Sequence, residues 1–112
     1  MLTLPIKKKW FDMILSGEKK EEYREIKDYW TQRFMRAIYG DYNPHHVGLF
    51  YGVLRETELG GKVILKNGYR ADSPKIVCDC LLTTGTGREE WGAEPNKVYY
   101  VLKIMKIEEA IK

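Results

Sequence analysis

Lys19, Glu22 and Arg24 lie within six residues of one another, directly after Gly17. An ammonium, a carboxylate and a guanidinium gathered this closely can recognise a phosphate or a polar base. They can also move a proton. Lys19 carries three donors on a flexible stem. A neighbouring Arg24 disfavours its charged form and lowers its pKa, whereas a neighbouring Glu22 does the opposite. A lysine with a depressed pKa serves as a base or nucleophile; a paired one is a binding charge. Arg24 offers a planar fork suited to a phosphate or a carboxylate. Glu22 can accept from an exocyclic amine or hold the two cations together. The plainer reading is a structural ion pair between Glu22 and Arg24, two residues apart on a strand.

The elements around this run must position it. Leu2 to Ile6 alternates as a short strand, and Pro5 restricts it to an edge or an end. Lys8 to Ser16 reads as a helix, with Trp10, Phe11, Ile14 and Leu15 forming an apolar stripe. Gly17 stands just past its end, where a left-handed backbone is usually needed. Lys19 to Arg24 reads as extended. On a regular strand Lys20, Glu22 and Arg24 share one face and Lys19, Glu21 and Tyr23 the other. One site for Lys19, Glu22 and Arg24 therefore requires Lys19 to sit in the turn before the strand, or a bulge to re-aim it.

Lys27 to Ile38 reads as a second helix, with Trp30, Phe34, Ala37 and Ile38 at helical spacing. Trp10, Trp30 and Phe34 are expected in the core. Val47 to Leu54 is apolar and fits strand or helix equally. Gly60-Gly61 reads as a turn and Asn67-Gly68 as a tight turn. Lys62 to Lys66, Lys75 to Leu82 and Val98 to Met105 alternate as strands. Gly85 to Asn96 reads as a polar loop, and Ile107 to Lys112 as a short strand or helix. Helices early and strands at both ends predict an α+β domain with a small curled sheet.

The 112 residues fit one domain spanning 1–112, with 44% hydrophobic and 31% charged residues. No apolar run approaches the roughly 20 residues that cross a bilayer. The first residues lack the charged start and apolar stretch of a signal peptide, so the expected location is the cytoplasm, with no membrane partner. The formal charge is +3, and residues 1–36 hold all of the excess, with nine Lys or Arg against six Asp or Glu. That local field favours a phosphate-bearing partner. Lys7-Lys8-Lys9 can track phosphates or simply begin a solvated helix. Cys78 and Cys80 are too close in sequence for an easy disulfide and are expected to be buried structural thiols. No cofactor and no metal site is expected.

Three places resemble the ASCH domains, a branch of the PUA-like superfamily. They are Gly17-x-Lys19-x-x-Glu22-x-Arg24, Lys66-Asn67-Gly68-Tyr69 and Glu90-Trp91-Gly92, as in phage- and prophage-type members. The resemblance spans Leu2 to Met105, although residues 38–60 add nothing to it. It implies a PUA-like small mixed β-barrel flanked by helices, with a cleft beside the Gly-x-Lys motif. The ligand implied is RNA or a nucleotide-like small molecule. The ligand-binding residues implied are Lys19, Glu22, Arg24, Asn67, Tyr69 and Trp91. Trp91 either stacks on a base or folds back on the core. Tyr69 either lines the cleft or packs behind its turn.

The resemblance also implies an enzymatic alternative, a metal-independent amidohydrolase of modified nucleosides such as acetylcytidine, or a ribonuclease. Lys19 and Glu22 would then be catalytic. The amidohydrolase branch carries a threonine three residues after its lysine, where this chain has Glu22. With Lys19 open to solvent in the cleft, Lys19→Ala is expected to weaken ligand binding and leave the melting temperature unchanged.

Overall fold

The apolar stripe after the first strand winds into helix α1, Lys8–Leu15, which buries Phe11 and Ile14. Before it runs strand β1, Leu2–Pro5, and after it strand β2, Glu21–Glu25. Helix α2 spans Asp28–Tyr39 and stops at Gly40, whose φ of 78° suits glycine. A single 3₁₀ turn, Pro44–His46, leads into α3, Val47–Glu56. Strands β3, Leu59–Lys66, β4, Lys75–Thr86, and β5, Val98–Ile111, complete the chain. This computed structural model describes residues 2–112.

The five strands form one sheet in the order β1-β3-β4-β5-β2. β1 runs parallel to β3, and the other neighbours are antiparallel. The sheet curls into a half-barrel, and the fold is α+β, as expected. Its inner face packs Leu4, Leu65, Ile76, Cys78, Tyr100 and Leu102 against Phe11, Ile14, Phe34, Phe50 and Leu54 of the helices. Tyr23, Ala93, Tyr99 and Val101 form a smaller cluster with Trp91 packed on it. β5 therefore buries side chains on both faces near its start, over Tyr99, Tyr100, Val101 and Leu102, which alternation on one face alone does not predict.

Three sequence expectations change and two open ones are settled. Gly60-Gly61 is no turn: both residues are extended within β3, opposite Leu81 and Cys80. Residues 47–54 are helical, because Phe50 and Leu54, four apart, fall on one buried face. Asn67-Gly68 opens an eight-residue connection rather than a two-residue turn. Its ends are tied by the Asn67 N–H on the Pro74 carbonyl, 2.9 Å, and Gly68 adopts a φ of 125°. A Cβ on Gly68 would stand 2.5 Å from the Ser73 Oγ. The tail from Ile107 continues β5, and β4 reaches Thr86, into the stretch expected as loop.

One buried polar group links three elements. The hydroxyl of Thr31 on α2 lies 2.5 Å from that of Tyr100 on β5 and 3.2 Å from that of Tyr51 on α3. Both Thr31 and Tyr100 are buried. Thr31→Val keeps the shape and removes the partner. The expected loss is about 1–3 kcal/mol, the usual cost of a buried hydroxyl left short of a bond. Urea unfolding measures it, and an unchanged midpoint would mean that Tyr51 alone satisfies Tyr100.

Candidate ligand cavity

Gly17, at φ 85°, reverses the chain after α1. The Lys19 N–H then donates to the Met13 carbonyl, 2.9 Å, which holds Lys19 in the turn before β2. That position resolves the parity conflict of a regular strand. The Lys19 side chain runs inward, and its Nζ lies 3.2 Å from the Glu22 Oε1. It also donates to the Trp91 carbonyl. The rings of Trp10 and Tyr23 complete its surroundings, each 4.9 Å from Nζ to centroid. The ammonium is thus met by a carboxylate, a carbonyl and two π faces, which is how a buried cation is tolerated. Burial pulls the Lys19 pKa below its ordinary value, and the Glu22 charge opposes that pull.

Glu22 turns its second oxygen to Arg24, 2.9 Å from Oε2 to Nη1. The same Nη1 donates to the Tyr23 carbonyl at 2.8 Å, and Nη2 donates to the Pro5 carbonyl. The guanidinium stands 5.1 Å from the Trp30 ring centroid. Lys19, Glu22 and Arg24 form one ion chain, with Glu22 at its centre.

Beside this chain opens a cavity of about 810 Å³. Glu22, Arg24, Asn67, Tyr69 and Trp91 all line it, as the motifs suggest. Lys19 does not. Its side chain is fully buried, behind the wall made by Glu22, Tyr23 and Trp10. The expectation of a solvent-open ammonium is therefore corrected: a long aliphatic stem between two aromatic rings is more stable inside, provided its tip finds acceptors. Asn67 also lends its side-chain amide to the Ile6 carbonyl, 2.9 Å, so it shapes the rim as well as lining it. Tyr69 is 92% exposed at the mouth and does not pack behind its turn.

Two further corrections concern tryptophan. Phe34 is in the core, but Trp10 and Trp30 are only partly buried and line the cavity. All three tryptophans of the chain thus face one space. Helical periodicity places Trp10 and Trp30 on the inward stripe but cannot show that the stripe ends at a cavity. Tyr23 and Tyr99 add two more rings, and no motif points to them. Gly92 packs so closely on Trp10 that a Cβ would meet it at 3.0 Å, and its φ of 103° also favours glycine. The Trp91-Gly92 pair thereby fixes the wall opposite α1.

The charges on the wall balance. Lys7, Arg24 and Lys97 face Glu22, Glu25 and Glu94. Lys97 is engaged by Glu94 at 3.1 Å and by Glu25 at 3.9 Å. Among the described residues no group of three or more His, Cys, Asp or Glu is placed to hold a metal ion, and no helix is long and apolar enough to cross a membrane. Cys78 and Cys80 are buried, free thiols, as expected. No family model, curated protein or solved structure matches this chain.

Proposed function

We propose that this chain is an ASCH-type, PUA-like domain that takes RNA or a nucleotide-like small molecule, one base at a time, into the 810 Å³ cavity. The observation that carries the reading is the convergence of Trp10, Trp30 and Trp91 on one space beside a buried carboxylate. Aromatic walls suit a planar base, and stacking contributes about 1–3 kcal/mol per base. The Glu22 carboxylate has acceptor capacity beyond Lys19 and Arg24, and an exocyclic amine is its natural donor. The volume lies within the range of small-molecule sites, about 300–1,000 Å³. The balanced wall favours a single nucleotide over a long phosphate backbone, which calls for a broad basic face.

Lys19 in this reading holds Glu22 in place rather than touching the ligand. One observation keeps the enzymatic reading alongside: a lysine with a lowered pKa sits 3.2 Å from a carboxylate at the cavity wall. A Lys19/Glu22 pair can relay a proton to a bound modified nucleoside, with Glu22 as the group in contact.

A panel of nucleosides, acetylated and methylated nucleosides, nucleoside monophosphates and short RNA oligomers tests both. Tryptophan fluorescence reports binding and chromatography reports turnover. Saturable quenching without turnover is the expected result. Release of acetate from acetylcytidine would favour the enzyme. Absence of binding by every member of the panel would sink the nucleotide reading.

A further inference from the structure

Cys78 and Cys80 point to the same face of β4, the inner one that carries the core. Their sulfurs stand 3.5 Å apart, and both residues are buried. The register of β4 against β5 shifts just before the pair, between Val77 and Cys78, and again within it, between Asp79 and Cys80. Such shifts bend a strand and re-aim its side chains. No disulfide joins them, and a bond of about 2.05 Å between residues two apart on one strand would be strained. A different spacing fits. Two thiolates bonded at about 2.3 Å to one pyramidal or tetrahedral centre stand about 3.5–3.8 Å apart.

The identity of that centre follows from what surrounds it. Structural zinc needs four protein ligands, and no third His, Cys, Asp or Glu joins the pair among the described residues. The site therefore suits a thiophilic centre that brings its own third substituent. Cys80 opens onto a cavity of about 340 Å³, lined by apolar side chains that include Phe34, Ala37, Ile38, Leu59 and Leu102. An apolar cavity of about 150 Å³ is enough for benzene. From the sulfur spacing, the two-ligand set and the adjoining apolar space, we propose that Cys78 and Cys80 form a chelating dithiol site for a monosubstituted trivalent arsenical, with its organic group in the cavity.

The reaction is a condensation without redox change. Each thiol gives its proton, two S–As bonds form, and the As=O oxygen leaves as one water. Cys78 gives up its contact with the Val63 carbonyl, 3.6 Å, a weak bond to lose. The hydrogen bond between the two thiols also favours loss of the first proton, from Cys78.

The probe is phenylarsine oxide, added at one equivalent to the reduced, folded protein. Native mass spectrometry is expected to show one adduct with loss of one water. Thiol titration should find both cysteines consumed, with reversal by 2,3-dimercaptopropanol and not by a monothiol at equal thiol concentration. Cys78→Ala and Cys80→Ala should each lose the dithiol-reversible adduct. Wild-type melting temperature should rise with the reagent, because it binds the native state. Two thiols still free at saturation, an adduct that persists in either variant, or a melting temperature that falls or stays level would each overturn the proposal. If a variant does not fold, the direction of the wild-type shift decides.

Discussion

Lys19→Ala is expected to lower the stability of the fold by about 3–5 kcal/mol, the usual loss when one partner of a buried ion pair is removed. At roughly 4 °C per kcal/mol for a chain of this size, the melting temperature falls by roughly 12–20 °C. The sequence alone leads to the opposite expectation, an unchanged melting temperature. The difference is burial: the Lys19 side chain has no exposed surface, and Glu22 next to it is 5% exposed. Without the ammonium, Glu22 keeps Arg24 and a long bond from the Tyr23 N–H, 3.4 Å, and a void opens between Trp10 and Tyr23. Lys19→Met fills the void but leaves the charge imbalance, so it should recover part of the loss. Lys19→Met with Glu22→Gln should cost less than the two single losses added, because they share one contact.

The pH dependence has a definite sign. The native pKa of Lys19 lies below its ordinary 10.5, so between the two values the unfolded chain binds more protons. Stability from this group therefore rises with pH across that window, and its charged form is least favourable below it. Lys19→Met should remove that rise. Differential calorimetry of both proteins from neutral pH to pH 10 measures it. An equal slope in the two proteins, or an unmoved melting temperature in Lys19→Ala, would mean that the ammonium is solvated.

Glu22→Gln is expected to weaken whatever ligand the nucleotide panel identifies by roughly 10- to 100-fold. A hydrogen bond to a charged group contributes about 1.5–3 kcal/mol, and 1.4 kcal/mol is a factor of ten. The amide still accepts one bond, but it no longer balances Lys19 and Arg24, which stand 3.2 and 2.9 Å away. Glu25→Gln, at an exposed position on the same wall, serves as the control and should change affinity little. Isothermal titration of the two variants separates the cases. Equal affinity for Glu22→Gln and wild type would remove Glu22 from ligand contact and leave it a purely structural anion.

Much of this arrangement is legible along the chain. Gly17 marks the end of α1 because a left-handed residue is needed there. The parity of β2 requires Lys19 either to precede the strand or to sit at a bulge, and it precedes the strand. Pro5 announces an edge, and β1 is an edge. The parts that are not legible depend on distant contacts. Gly60-Gly61 has turn composition, yet pairing with the long β4 holds it extended. Trp10 and Trp30 carry helical spacing, yet the sheet leaves a gap where their stripes end. The burial of Lys19 depends on the carbonyl of Trp91, 72 residues further on, and no local pattern foretells that acceptor.

Arg24 has a role beyond the cavity. β1 and β2 are the two margins of the sheet, and the guanidinium ties them by reaching from β2 to the carbonyl of Pro5. Arg33 adds a bond from α2 to the Thr3 carbonyl, 2.7 Å. Margins with free backbone groups invite pairing between molecules. Here they are four and five residues long, one ends in a proline without an N–H, and two arginines occupy carbonyls on it. These features disfavour edge-to-edge pairing, and the residue that borders the ligand space also occupies a backbone acceptor on a sheet margin.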